Sequence, residues 1–327
     1  MSASVVMEHS SDALIHELNQ RYRQEFDRAE ALQAELNDIK RSRWWPWFNR
    51  LREFSYRWRN TSFNPISEHA TTKLTSSPSM AELFQPVANH QWNPSQVSII
   101  IPFRDQHQLM HRCLSMLHRT VPRAEIILVD NGSKDYQTRK LIEEARVQRQ
   151  ARLLRIDEEF NYSKLCNAGA AESQRELLLF LNNDVLAMQP AWLQAMLEVL
   201  NDQTVGIVGA TLLYPDRTLQ HVGLAPTGPS GAWVHPYRYE PESCTGFQHE
   251  LRHIRTVPAV TGACLMIPRD LFNALNGFDP QYPVTHNDVD LCQRVRKLGK
   301  KVAITPFAKL WHFESLTRGY SREASRC

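Results

Sequence analysis

Apolar residues between positions 96 and 185 occur in short runs that end abruptly in polar or turn-forming residues. Runs of about five apolar residues without alternation are typical of strands buried on both faces of a sheet. Four such strands are predicted, and Pro102 is expected to stop the first of them. They are Val97–Ile101, Glu125–Val129, Ala151–Ile156 and Leu177–Leu181.

Between these runs three helices are predicted, the first from apolar positions that return every three or four residues and the second rich in charged residues. The helices are expected at Gln108–Thr120, Tyr136–Arg149 and around Leu165–Gln174. Strands that alternate with helices at this spacing predict an α/β fold with a mainly parallel sheet, joined by right-handed crossovers and flanked by helices.

Acidic residues stand where two of the predicted strands end. Asp130 ends the second strand and Asp184 follows the fourth, after Asn182 and Asn183. The carboxyl ends of parallel strands meet at one edge of the sheet, where open α/β folds bind ligands. Carboxylate and amide oxygens are ligands that Mg²⁺ or Mn²⁺ accepts, although the same residues also form ordinary turns.

Two further polar clusters lie closer to the C-terminus. Asp288 and Asp290 precede a predicted helix over Leu291–Leu298, where acids also serve as helix caps. His312 follows an apolar stretch and could ligate a divalent ion or simply be a half-buried histidine with satisfied hydrogen bonds.

The first forty residues have a different pattern, with apolar positions in alternating steps of three and four and one failure at Glu25. This predicts an amphipathic helix over residues 11–40 with a coiled-coil tendency. Two interpretations stay open, which are homo-oligomerisation through the helix and packing on the chain's own main domain.

Residues 40–59 combine seven basic residues and a single acid with interleaved Trp and Phe. Such a segment suits peripheral contact with an anionic membrane, docking on the main domain or, least favoured, nucleic acid. Residues 61–95 are rich in Ser, Thr, Asn and Pro, which is typical of a linker or an extended wrap.

Composition narrows the function classes. The 327 residues are 42% hydrophobic and 22% charged, as in soluble globular proteins, and a net charge of +3 is too small to indicate nucleic acid as a partner. The six cysteines form no CxxC pair, which argues against structural zinc and suits a reducing cytosol. No apolar stretch approaches the roughly 18 residues of a membrane span, and no signal peptide is seen. The cysteine pattern, the lack of a membrane span and the lack of a signal peptide together lead us to expect a cytoplasmic location.

Two nucleotide-binding motifs are missing from the chain. No GxGxxG follows the first predicted strand, which excludes the dinucleotide fingerprint, and no GxxxxGK[ST] occurs, which excludes the usual NTPase.

The order of the motifs resembles the inverting family 2 glycosyltransferases, and most of all the rhamnosyltransferase-like members of bacterial O-antigen and capsule pathways. The resemblance covers about residues 96–320. The motifs, in chain order, are Ile99–Asp105, Val129–Ser133, Phe160–Lys164, Leu181–Asp184, Leu219–Gly223, Gly277–Asp279, Asn287–Asp290, His312–Ser315 and Arg318–Gly319.

This resemblance implies a GT-A fold, a nucleotide-sugar donor (UDP-, GDP- or dTDP-sugar), a saccharide acceptor and a divalent metal, Mg²⁺ or Mn²⁺. Together with the residue pattern, it predicts four regions: an N-terminal helical extension over 1–60, a linker over 61–95, the glycosyltransferase domain over 96–320 and a tail over 321–327. If the acceptor is lipid-linked, the protein would work at the inner face of the plasma membrane.

The resemblance also assigns roles to residues. Asp288 matches the catalytic base, Asp130 the contact to the nucleoside, and Asp184 the last acid of the metal-binding DxD motif. Asn182 stands where the first Asp of that motif usually lies, which lowers the negative charge of the site. The further residues assigned to metal or donor are His312 to the metal or diphosphate, Arg318 to the diphosphate, and Pro102, Asp105 and Lys164 to the donor side.

The implied chemistry is an in-line displacement in which the metal neutralises the leaving diphosphate and one carboxylate takes the acceptor proton, so the anomeric carbon inverts. Gln220 and His221 are expected to touch either the acceptor or the donor sugar, and Thr261–Cys264 to line the acceptor side.

Three rival functions remain. In a hydrolase, Asp184 and Asp288 would form an acid–base pair. A nucleotidyltransferase would need a Gly-rich basic loop after the first strand, which is absent. The third is a non-catalytic sugar- or nucleotide-binding scaffold of the same fold.

Overall fold

A computed structural model describes residues 91–148, 150–227 and 232–313. The predicted helix over 11–40, the basic aromatic segment over 40–59, most of the 61–95 linker, Arg318 and the 321–327 tail lie outside these residues.

The first half of the described chain alternates strands and helices, as predicted. A short 3-10 helix, Pro94–Gln96, leads into the first strand. The elements that follow are β1 (Val97–Phe103), α1 (His107–Thr120), β2 (Glu125–Asp130), α2 (Tyr136–Val147), β3 (Arg152–Arg155), α3 (Tyr162–Ala171) and β4 (Leu177–Leu181). These four strands are parallel in the order β3-β2-β1-β4, and every residue of β1 and β4 is buried.

The second half completes the sheet with mixed pairing. Its elements are β5 (Val185–Ala187), α4 (Trp192–Leu200), β6 (Val205–Leu213), β7 (Leu219–His221), β8 (Ala225–Thr227), β9 (Ala232–Val234), a 3-10 helix (Phe247–Arg252), β10 (Arg255–Thr256), β11 (Cys264–Pro268), α5 (Arg269–Ala274), α6 (Asn287–Lys297) and β12 (Lys301–His312). Beyond β4 the sheet continues β11-β6-β12-β10, with β11 antiparallel to both of its neighbours and β12 parallel to β6. Strand β5 pairs with β12, β7 pairs with β6, and β8 with β9 forms a separate hairpin.

The strand order places several chain segments at one edge. From β1 the chain runs outward through β2 and β3, then returns to place β4 on the other side of β1, so the order switches between β1 and β4. Such a switch point creates a crevice at the carboxyl ends of the strands. Because β12 runs parallel to β6, its carboxyl end reaches the same edge, and antiparallel β11 begins there.

Helices cover both faces of the sheet because the buried strands are apolar on both sides. One core lies against α1 and α4, with Trp192 and Met110 fully buried in it. The other lies against α3, α5 and α6 and contains the contacting rings of Phe180, Phe272 and Phe278. The polar residues of the predicted site lie at the sheet edge formed by the carboxyl ends of the parallel strands.

Two sequence-based boundaries are wrong. Pro102 does not stop β1 but lies inside it, opposite Val129 of β2. Pairing of β1 with β4 ends at Ile100, so a residue without an N–H is tolerated at this point. Helix α6 begins at Asn287 rather than at Leu291 and therefore includes both acids of its cluster.

Helix α3 lies unusually close to the sheet at Gly169. A Cβ at this position would lie 2.5 Å from Ile100 Cγ2 and 2.9 Å from Val129 Cγ2. Both neighbours are β-branched core residues with little rotameric freedom, so neither can move aside easily. A glycine is required here because the helix backbone contacts the strands directly.

We expect Gly169→Ala to lower the free energy of unfolding by about 1–3 kcal/mol, since overpacking exceeds the roughly 1 kcal/mol that alanine gains in a helix. Urea denaturation measures the change. Gly299→Ala is the control, because nothing lies within 4 Å of its Cβ position and only the strain of its φ of +78° is added. A Gly169→Ala protein more stable than the wild type would contradict the close approach.

Candidate active site

Asp184 and His312 meet at the switch-point edge. The turn after β4 is closed by the Val185 amide, which donates to the Asn182 carbonyl at 3.2 Å, and the Phe313 amide donates to the Asp184 carbonyl at 2.9 Å. These bonds bring His312 Nε2 to 3.3 Å from Asp184 Oδ1. The sequence predicted both residues separately, and the structure brings them together.

The Asp184 carboxylate has unused binding capacity. Asp184 is only 4% exposed, and its Oδ1 accepts no hydrogen bond from any described residue. A buried carboxylate oxygen without a donor is costly unless a cation or a ligand completes it. The pair of an imidazole nitrogen and a carboxylate oxygen therefore fits a divalent ion such as Mn²⁺.

The number of protein ligands is small. Among residues 91–148, 150–227 and 232–313 no three His, Cys, Asp or Glu side chains cluster as a metal cage. Two protein ligands with open positions are typical of ions that also bind substrate phosphates.

Backbone amides and carbonyls of residues 261–263, which precede β11, connect the elements of the site. We call this the 261–263 segment. The Gly262 amide donates to Asp288 Oδ2 at 2.9 Å, and the Asn182 amide donates to the Ala263 carbonyl at 3.0 Å. The segment therefore joins the start of α6 to the end of β4.

Two more hydrogen bonds fix this segment from the sides. The hydroxyl of buried Tyr162, at the start of α3, donates to the Gly262 carbonyl at 2.8 Å. The Thr261 amide donates to His221 Nε2 at 3.2 Å, on β7. Tyr162 is a contribution that the sequence did not reveal, since its partner is a backbone carbonyl one hundred residues away.

Asp288 lies in the first turn of α6 and is half-buried. Burial raises the pKa of its carboxyl above the ordinary 3.8, while hydrogen bonds from the Gly262 and Val289 amides oppose that shift. The preceding His286 has a left-handed φ of 68°, a strained conformation of a kind that clusters at functional sites. Such a carboxyl holds a proton more readily than an exposed one, which suits a base.

The neighbouring Asp290 has a structural partner instead. Its Oδ2 accepts from Arg294 Nε at 2.8 Å and from Nη2 at 2.5 Å, one turn along the same helix. The two acids of the cluster are therefore distinguished by their partners.

Asp130 is fully buried, and both of its carboxylate oxygens accept hydrogen bonds. Oδ1 accepts from the Ser133 amide at 2.8 Å, and Oδ2 accepts from Arg155 Nη1 at 2.9 Å. Arg155 faces Asp130 across the β2–β3 register, a pairing that could not be read from the sequence. The carboxylate predicted to contact the nucleoside is thus fixed in place, with a half-exposed guanidinium beside it.

Asp105 ties the loop after β1 to the loop after β2. Its Oδ1 accepts from the amides of Lys134 and Asp135 at 2.7 and 2.8 Å, and its own amide donates to Ser133 Oγ at 2.8 Å. These bonds give Asp105 a supporting position at the edge.

The other residues predicted to bind the nucleotide-sugar donor have few side-chain contacts at the site. Pro102 is buried within β1, and Lys164 lies exposed in the first turn of α3, where Asn161 Oδ1 accepts from its amide at 3.0 Å. The half-buried Asn182 takes part in the site through its backbone bonds.

Gln220 and His221 are buried and have protein partners. Gln220 Oε1 lies 2.7 Å from His312 Nδ1, and His221 Nδ1 lies 3.1 Å from His235 Nδ1. Burial, and next the neighbouring His235, hold the pKa of His221 well below 6.5, so the ring is neutral at pH 7. Both side chains therefore face the protein interior, and these partners could not be predicted from the sequence.

The protein-family comparison identifies the class of protein. The family model "Glycosyl transferase family 2" matches residues 98–275. This is more than half of the chain, so the protein belongs to glycosyltransferase family 2, as the motifs predicted.

Three curated relatives are informative. The chain is 38% identical over 228 residues to the uncharacterized protein y4gI of Sinorhizobium fredii and 37% identical over 227 residues to the O-antigen biosynthesis protein RfbC of Myxococcus xanthus. These matches cover 68% of this chain but only 25% and 18% of the two relatives. An N-acetylglucosaminyl-diphospho-decaprenol L-rhamnosyltransferase of Mycobacterium tuberculosis is 26% identical over 238 residues, which cover 64% of this chain and 73% of the relative.

Solved structures confirm the predicted GT-A fold. GalNAc-T7 with UDP, GalNAc and Mn²⁺ matches with a TM-score of 0.56 at 18% identity, over 69% of this chain and 44% of that one. The mannosyltransferase PcManGT of Pyrobaculum calidifontis, in complex with GDP-Man and Mn²⁺, matches with a TM-score of 0.52 at 18% identity, over 73% and 63%. In the described part of this chain, no helix has the length and apolarity to cross a bilayer.

Proposed function

We propose that the protein is an inverting glycosyltransferase that moves a sugar from a nucleotide-diphosphate donor to a hydroxyl of a saccharide acceptor in surface polysaccharide synthesis. Family membership supports the reaction class, and the names of RfbC and the rhamnosyltransferase support the pathway. The observation that carries the proposal is the unpartnered Asp184 Oδ1 facing His312 at the sheet edge.

Asp184 Oδ1 and His312 Nε2 would hold a divalent cation, Mg²⁺ or Mn²⁺. When bound, the cation supplies Lewis-acid stabilisation of the leaving diphosphate. The absence of a third protein ligand among the described residues leaves positions for phosphate oxygens of the donor. Asn182 contributes no charge, so the site carries one carboxylate where the DxD pattern usually brings two.

On the nucleoside side, Asp130 and Arg155 offer an acceptor and a donor of hydrogen bonds held in fixed positions. The Asp105 bonds keep the loops after β1 and β2 together around them. Arg318 remains a predicted contact to the diphosphate. The membrane role of residues 40–59 and the self-association of residues 11–40 also remain predictions, and all three lie outside the described residues.

Asp288 would act as the general base. The acceptor O–H proton passes to its carboxylate, the acceptor oxygen forms a bond to the anomeric carbon, and the bond to the diphosphate breaks with its electron pair. A single displacement of this kind inverts the anomeric configuration. The raised pKa of Asp288 makes it a stronger base than an exposed aspartate.

Nucleotide release in the presence of Mn²⁺ tests the proposal directly. Across UDP-, GDP- and dTDP-sugars with lipid-diphosphate saccharide acceptors, we expect release from one nucleotide class and loss of release on adding EDTA. Silence of the folded protein on every donor would favour the non-catalytic scaffold instead. Hydrolysis of a glycan without any nucleotide sugar would favour the hydrolase.

Asp288→Asn should lower kcat by at least about 10²-fold, the lower range for removal of a general base, while the donor Kd stays near that of the wild type. Asp290→Asn is the matched control, with the same substitution in the same helix turn, and it should retain most of the activity. Donor titration and steady-state rates measure both. If Asp288→Asn had the same kcat as Asp290→Asn, Asp288 could not be the general base.

The pH profile should report the raised pKa of Asp288. The base works only when ionised, so kcat/KM should fall as pH falls through an apparent pKa above 3.8, the ordinary value for aspartate. Asp290→Asn should show the same acid limb. A limb at or below 3.8, measured where the protein stays folded, would contradict the assignment.

A further inference from the structure

Gln220 lies at an irregularity of the sheet beside His312. Strand β7 pairs antiparallel with β6, with His221 opposite Leu212 and Leu219 opposite Leu213. Two consecutive residues of β6 therefore face residues of β7 that are two positions apart. Gln220 lies between them as the extra residue of a β-bulge. Bulges occur next to active sites, where they redirect a side chain.

The bulged side chain is directed at His312. Gln220 is 3% exposed, and its Oε1 lies 2.7 Å from His312 Nδ1. An amide oxygen can only accept a hydrogen bond, so His312 Nδ1 must carry the proton and donate it.

This bond determines the state of the other ring nitrogen. In the uncharged form of the ring, a proton on Nδ1 leaves the lone pair of Nε2 facing Asp184 Oδ1, 3.3 Å away. Two acceptors that face each other at this distance repel unless a cation lies between them. The contact with Gln220 therefore prepares His312 to be a ligand.

We propose that Gln220 is a positioning residue that holds His312 in the Nδ1–H tautomer, with Nε2 free to bind the divalent cation. The inference rests on the proposed function, since the cation belongs to the glycosyl-transfer site. Outer partners of metal-bound histidines fix the tautomer and ring orientation, and their loss typically weakens metal binding by about 10–100-fold. A residue that only filled space at the bulge would have no such effect.

Three variants separate positioning from packing. Gln220→Leu keeps the approximate volume but cannot accept a hydrogen bond, whereas Gln220→Glu keeps an acceptor. The control is Gln293→Leu, the same substitution at a partly buried glutamine of α6 whose Nε2 donates to the Pro258 carbonyl at 3.0 Å. The affinity for Mn²⁺ alone is measured by EPR, without donor or acceptor, and the ring ¹⁵N shifts of His312 report its tautomer in the metal-free protein.

We expect Gln220→Leu to weaken Mn²⁺ binding by about 10–100-fold and to give a mixture of His312 tautomers. Gln220→Glu and Gln293→Leu should keep affinity near the wild-type value. Two outcomes would overturn the positioning role of Gln220 without refuting the metal site. One is a wild-type Mn²⁺ affinity in Gln220→Leu, and the other is a loss of Mn²⁺ affinity in Gln220→Glu as large as that in Gln220→Leu. Failure of the wild-type protein to bind Mn²⁺ would refute the metal site itself and this inference with it.

Discussion

The candidate active site depends on the 261–263 segment, because its backbone bonds to β7, α3, α6 and the turn that follows β4. Its amides reach Asp288 and His221, and its carbonyls accept from Tyr162 and Asn182. Backbone groups keep their positions when side chains change rotamer. Asp288 and the turn that carries Asp184 are therefore connected through one backbone segment before β11.

This arrangement works against stability locally. Asp184 has an oxygen with no donor, and the burial that raises the pKa of Asp288 disfavours its charged form. Unsatisfied buried polar groups cost about 1–3 kcal/mol each. The apolar layers on both faces of the sheet offset these costs, since β1 and β4 are buried over their whole length. The edge is thus polar and strained while the interior is not.

Local pattern was enough to predict the parallel half of the fold. The short apolar runs predicted β1 to β4, and the acids that end two of them made Asp130 and Asp184 candidates. His312 became a candidate because it follows a later apolar stretch, which forms β12. The prediction about Pro102 was wrong because pairing on one side of β1 ends before it, which is a property of the neighbouring strand. Arg155, Tyr162 and the contact of Gln220 with His312 depend on strand register and on residues far apart, which no local pattern contains.

The antiparallel insertion of β11 also affects the order in which the molecule assembles. Strands β1, β2 and β3 pair across 25 to 27 positions, whereas β1 pairs with β4 across 80, β4 with β11 across more than eighty, and β6 with β12 across more than ninety. Contacts between distant segments form slowly because long loops must close first. During synthesis, Asp184 leaves the ribosome well before its partner His312 and stays hydrated until β12 joins the sheet. The contact between Asp184 and His312 can therefore form only after β12, the last strand of the described chain, has joined the sheet.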